Sequence, residues 1–227
     1  MRVRRLLWLG FILAAFVPAW AQAPADKPAS SATLTFSLDF PGSDPEHYSI
    51  TVNADGQASY ESSAKISPDS DERETYHAEF TFSPRGKSHI FDLVAEAHYF
   101  SGKVDSGKKL AFTGAKKLTY KDGQHDGAAS YNYSNQPAVQ QLTSLFQSVS
   151  STMEFGRHLE YFHRYQKLAL DQELKQMETQ ARGNQLAELQ AVHPILQEIL
   201  DDTSVINVVR ARAKFLLEMA DNSTVSH

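Results

Sequence analysis

Residues 34–60, LTFSLDFPGSDPEHYSITVNADGQASY, decide the fold. Leu34, Phe36, Leu38 and Phe40 alternate with Thr35, Ser37 and Asp39, the period-2 pattern of a strand with one buried face. Pro41-Gly42-Ser43-Asp44-Pro45 ends that strand. Tyr48, Ile50 and Val52 then alternate up to Asn53-Ala54-Asp55-Gly56, and Ala58 and Tyr60 alternate after it. Asp-Gly between alternating runs signals a hairpin, because glycine accepts the positive φ of the turn.

Outward from this stretch, Ser62 to Glu74 reads as a polar loop, and Tyr76, Ala78, Phe80 and Phe82 mark a further strand. After Ser83-Pro84 the period changes. Ile90, Phe91, Val94, Ala95 and His98 recur at helical spacing up to Ser101-Gly102. Leu110–Phe112 and Ala115–Tyr120 return to β, Lys121-Asp122-Gly123-Gln124 turns, and Ala129, Tyr131 and Tyr133 mark the returning strand. From Asn135, read as an N-cap, the chain is helical, with Pro137 in the first turn. The spacing predicts a break near Gly156, a helix over 157–182 ending at Gly183-Asn184, and a third over 185–200 kinked at Pro194. A last helix carries Val205, Val208, Val209, Ala213, Leu216 and Leu217, followed by a polar tail at 222–227. Strands with one helix, then three to four helices, predict an α+β fold: a small antiparallel sheet with a helix over 33–135, and a helical region over 136–221 packed on it.

The first hairpin (Tyr48, Ile50, Val52, Asp55, Gly56), a strand, one helix and a second hairpin from Lys116 or Lys117 through Leu118 and Tyr120 to Gly123 lead into a proline-initiated helix. Together these residues resemble a family of exported bacterial domains of unknown function. The resemblance implies a small sheet packed on helices and brings no activity or site residues. Members of that family often carry a cysteine pair before the first hairpin, where this chain has Asp44 and Pro45. Asp202, Val209-Arg210-Ala211-Arg212-Ala213 and Leu216-Leu217 resemble one unit of a HEAT-type helical repeat. A single copy reads as a helical hairpin capping the domain, since such units need about three copies to bury a continuous core.

The N-terminus carries an address. Arg2, Arg4 and Arg5 precede Leu6–Trp20, an uncharged run of 15 residues, shorter than the ~20 of a spanning helix. Residues 1–21 read as a secretory signal peptide cut after Ala21; an uncleaved N-terminal anchor is the alternative. Residues 22–32, QAPADKPASSA, read as a flexible spacer. Cutting removes three arginines, so 22 basic against 27 acidic side chains become 19 against 27, a net charge of −8 instead of −5. So acidic a product, without a basic run, is a poor nucleic-acid binder and is expected to stay off anionic surfaces. There is no cysteine, hence no disulfide, thiolate metal site or lipoprotein anchor. The expected location is the periplasm, or the medium.

Candidate chemistry centres on Glu154, His158, Glu160 and His163. Glu154 and His158 are four apart and Glu160 and His163 three apart, spacings that put a carboxylate and an imidazole on one helical face. A Glu-x-x-His step is half of a di-metal site in a helix bundle, but no second such step stands on a predicted helix. Solvated surface residues are the competing reading. Asp39, Asp44, Glu46 and His47, and Asp69, Asp71, Glu72 and Glu74, read as solvated acidic turns; a calcium loop would need a central glycine. Ser101-Gly102-Lys103 and Ser106-Gly107-Lys108 read as an exposed lysine-rich loop, since Lys109 stands where a phosphate loop needs Ser or Thr. Tyr120, Tyr131 and Tyr133 read as a cross-strand core cluster, with a ligand platform as the alternative. The Tyr161, Tyr165 and Leu168 stripe is expected to be buried against the sheet or the other helices, with a partner-binding groove as the alternative. No cofactor motif is present. The sequence therefore favours a non-enzymatic envelope module that contacts a protein partner, or its own copy, through the long helices. The alternative is a hydrolase or metal-dependent enzyme built on the four Glu and His residues.

Overall fold

A computed structural model describes residues 31–65, 70 and 72–225; the signal-peptide reading and nearly all of the spacer lie outside them. Six strands form one antiparallel sheet: β1 (Thr33–Asp39), β2 (His47–Asn53), β3 (Gln57–Lys65), β4 (Arg73–Thr81), β5 (Ala115–Lys121) and β6 (Asp126–Tyr131), in the order β4-β3-β2-β1-β5-β6. The alternation sets the register. Phe36 lies opposite both Ile50 and Leu118, and Ile50 opposite Tyr60, so the apolar positions of four strands share one face. The other face carries Thr35, Thr51, Ser59 and Thr119. Gly56 takes the positive φ the β2–β3 turn demands, at 97°.

Five helices follow the α+β expectation: α1 (Pro84–Glu96), α2 (Pro137–Tyr165), α3 (Leu170–Arg182), α4 (His193–Asp201) and α5 (Asn207–Val225). Ser83 caps α1 by accepting from the Gly86 amide at 3.0 Å. α2, 29 residues and about 43 Å long, crosses the apolar sheet face, with Phe146 stacked on Phe36 at 5.2 Å between ring centroids. Its later turns are covered by α3, α4 and the 3₁₀ turn Leu189–Val192. It is thus the middle layer between the sheet and the last three helices, and one continuous core runs from Ala32 to Ala220.

The helix boundaries differ from the sequence reading in ways that have physical causes. Gly156 does not break α2. It is buried where a Cβ would stand 2.6 Å from Val192 Cγ1, so it is a close-packing residue. The break comes at Gln166, with φ −144° and ψ 59°, and no glycine or proline marks it. Pro194 starts α4 and does not kink a longer helix, its ring sitting in the first turn where no N–H is needed. The cap position before Pro137 is Gln136, without a side-chain bond; Asn135 is one residue outside. β3 runs on to Lys65 because Ser62 and Ala64 continue its buried face, while Leu110–Phe112 form no strand. Ala32, assigned to the spacer, is packed in the core. α5 reaches Val225, into the segment read as a tail. Val208 on α5 is exposed.

Candidate functional site

Glu154 and His158 lie one turn apart on α2, facing the groove that α3 forms as it runs back alongside. Glu154, 12% exposed, is fully engaged. Its Oε1 accepts from the Tyr60 hydroxyl and from Ser62 Oγ, both at 2.7 Å, and its Oε2 from Arg157 Nε at 2.7 Å. Burial, then the Glu154 charge, pushes the Tyr60 hydroxyl well above the ordinary tyrosine range, so it stays a donor. Arg157, 4% exposed, also donates to the Lys65 carbonyl at 2.7 Å. Its second terminal nitrogen is 3.0 Å from His158 Nε2. A guanidinium only donates, so Nε2 accepts. His158 is therefore the Nδ1–H tautomer and donates to Glu173 Oε1 at 2.8 Å.

This arrangement clamps more than it primes. The ring nitrogen that would take a proton from a substrate is occupied by Arg157, and both oxygens of Glu154 carry donors. Tyr60 and Ser62 on β3, Glu154, Arg157 and His158 on α2, and Glu173 on α3 form one chain of hydrogen bonds joining all three layers.

Glu160 and His163 belong elsewhere. At about 100° per residue, Glu160 is turned roughly 240° and His163 roughly 180° from Glu154 around α2. Glu160 leaves much of its surface to solvent, yet neighbouring chain strips part of its water. That, followed by the Glu198 charge, raises its carboxyl, against a hydrogen bond from Tyr76. His163 Nε2 lies 2.9 Å from Asp202 Oδ2, which also takes the Lys167 ammonium at 2.6 Å; Ser204 N and Oγ donate to Oδ1. Lys167 first, then Ser204, holds the Asp202 carboxyl far below the usual range. The two Glu and His pairs therefore serve separate networks. Among the described residues, no three His, Cys, Asp or Glu side chains converge where a metal ion could sit.

The groove between α2 and α3 encloses about 600 Å³. Phe155 and Phe162 form its floor, and Gln166, Gln172, Gln176 and Gln180 line it. None of these four carboxamides is hydrogen-bonded to a described residue. Of the tyrosines, Tyr120 and Tyr131 are in the core while Tyr133 is exposed. The Tyr161, Tyr165 and Leu168 stripe is not buried as expected. Tyr161 is half-buried, but Tyr165 at the end of α2 is exposed, and Leu168, in the 3₁₀ turn Lys167–Ala169 that follows, is 94% exposed. At the first turn, Asp39 pairs with His47 at 2.6 Å, and Arg73 lies between Asp44 and Glu46. Asp69 and Asp71 lie outside the described residues.

The sequence reading missed Arg157, Glu173, Tyr60 and Ser62. Arg157 carried a local signal, three residues after Glu154; Tyr60 and Ser62 are more than 90 positions away and carried none. Compared with protein-family models and with curated proteins, the chain matches none.

Proposed function

We propose that the protein is an exported, non-enzymatic binding module of the cell envelope, whose helical half holds a segment of another polypeptide in the α2–α3 groove. The observation that carries this reading is the set of unpartnered carboxamides beside a saturated polar network. Gln172, Gln176 and Gln180 stand at i, i+4 and i+8, about 6 Å apart along α3. An extended chain presents its backbone N–H and C=O on one side every ~6.6 Å. A primary amide carries an NH2 that donates and a carbonyl that accepts, so it can meet both backbone groups of one such residue. Export rests on the Arg2–Ala21 reading of the N-terminus. An enzyme built on Glu154 and His158 has less support, because Arg157 occupies the imidazole nitrogen that a general base would use.

The test is a crosslinking pull-down from envelope fractions with the exported protein and with Gln172→Ala/Gln176→Ala. A partner captured by the parent and lost from the variant is expected. A monomer that captures nothing, or a variant that captures as well, overturns the reading. Edman sequencing of the exported protein should begin at Gln22; retention in the cytoplasm with Met1 or Arg2 first would refute export.

A further inference from the structure

Between the 3₁₀ turn His98–Phe100 and β5, residues 101–114 form neither helix nor strand, only the single bridge Asp105–Ser134. Loops of about this length without secondary structure of their own are uncommon and usually functional. This one is strapped at both flanks. The Asp105 carboxylate accepts from the Gly107 amide at 2.7 Å and the Asn132 amide at 3.0 Å. Asn132 takes the Thr113 amide at 2.9 Å and donates to the Ala111 carbonyl at 3.0 Å. The buried Lys116 ammonium donates to the carbonyls of Thr113 and Asn132, both at 3.0 Å, and of Gly114 at 3.2 Å.

What the straps hold outward is apolar and basic. Leu110 is 48% and Phe112 56% exposed, and Phe40 meets Phe112 edge-on at 5.8 Å between centroids. Lys108 and Lys109 precede Leu110, and Lys117 lies beside Phe112. None of these three lysines is paired with a described carboxylate; Lys108 Nζ reaches only the Asn135 carboxamide, at 3.3 Å. Of the nearby acids, Asp44 and Glu46 face Arg73 and Asp105 is taken up by backbone amides, while Asp39, hydrogen-bonded to His47, stands at the rim beside Phe112 and Lys117. Three lysines against one exposed aspartate thus surround exposed apolar side chains, on a chain of net charge −5.

We infer that this loop docks the protein on a bilayer containing anionic phospholipid, with Leu110 and Phe112 entering the boundary between headgroups and acyl chains and the lysines facing the phosphates. A protein partner fits less well, because the buried centres of protein interfaces are depleted in lysine. The contact is peripheral: among the described residues no helix is long and apolar enough to cross a membrane. The overall negative charge, which argues against such binding, acts over a Debye length of ~8 Å at physiological salt, so the local lysines dominate at contact.

The absence of cysteine provides the test. Leu110→Cys carrying a polarity-sensitive fluorophore reports on the loop, and Glu218→Cys, on the exposed side of α5, is the control. With vesicles of phosphatidylcholine and about one-third phosphatidylglycerol, the label at position 110 should shift to the blue and be quenched by a lipid-borne quencher, while that at 218 should not. Lys108→Gln/Lys109→Gln should weaken co-sedimentation about 25-fold, roughly fivefold per lysine, with unchanged circular dichroism. Phe112→Ser should weaken it about tenfold. Equal binding to pure phosphatidylcholine, no co-sedimentation, or a label at 110 that shifts only with envelope protein would each overturn the inference. The pull-down of the groove partner is independent of these lysines.

Discussion

Replacing Arg157 with Met keeps most of the side-chain volume and removes three hydrogen bonds at once, so it isolates the clamp between the sheet and α2. Glu154 would remain 12% exposed with Tyr60 and Ser62 as donors but no counter-charge, and the Lys65 carbonyl would lose its Arg157 donor. Breaking a buried pair from one side costs about 3–5 kcal/mol. With a urea slope of about 2 kcal/mol/M, the midpoint should fall by roughly 2 M. Glu154→Gln alone should cost somewhat less, because Tyr60 and Ser62 can still donate to the amide oxygen. In the double variant no buried charge is stranded, and the loss should fall short of the sum of the two single losses by about 2 kcal/mol. Urea unfolding of the four proteins, followed by circular dichroism, measures the cycle. A loss below about 1 kcal/mol for Arg157→Met, or additivity within about 0.5 kcal/mol, would refute the clamp.

Two further outcomes follow from the packing and the charges. Gly156→Ala should destabilise by about 1 kcal/mol, since overpacking against Val192 at 2.6 Å costs ~1–3 kcal/mol and alanine returns ~1 kcal/mol of helix propensity. Adding Val192→Ala should remove the overpacking penalty; a stabilising Gly156→Ala in the parent background would contradict the close approach. The Asp202 carboxyl is held below its unfolded value by Lys167 and Ser204, so its contribution is complete above that value, near pH 4, and disappears as pH falls through the folded one. Asp202→Asn should accordingly lower the melting temperature at pH 7, with a difference that shrinks between pH 4 and 2; a gap constant over that range would rule out the assignment.

The sheet was legible because each strand has one wet face, so alternation alone placed Phe36, Ile50 and Tyr60 inward. The helical half was less so. Gly156 reads locally as a weak helix former, and only the approach of Val192 reveals why it is there. The break at Gln166 lies among residues of ordinary propensity, and no glycine or proline announces it. In the groove, the Glu154–His158 step was visible as a helical face. Its meaning depended on partners from β3 and α3, brought together by the crossing of α2, which no local spacing encodes. Glu160 and His163 had equally suggestive spacing and serve different networks, so a carboxylate–imidazole step alone does not identify a site.

β1 occupies the middle of the sheet although it is the first strand among the described residues. One neighbour, β2, follows at once, but the other, β5, is made roughly 80 residues later. A ribosome or a translocation pore therefore releases β1 long before its second edge can be paired. Through that interval the chain holds a hairpin meander with an open apolar face, and α2, which covers that face, comes later still. Folding is postponed until most of the polypeptide has emerged. An exported chain would gain from such lateness, because the thread stays loose until it is through. It also opens a window for aggregation, in which the β1 edge is the segment a chaperone would have to shield.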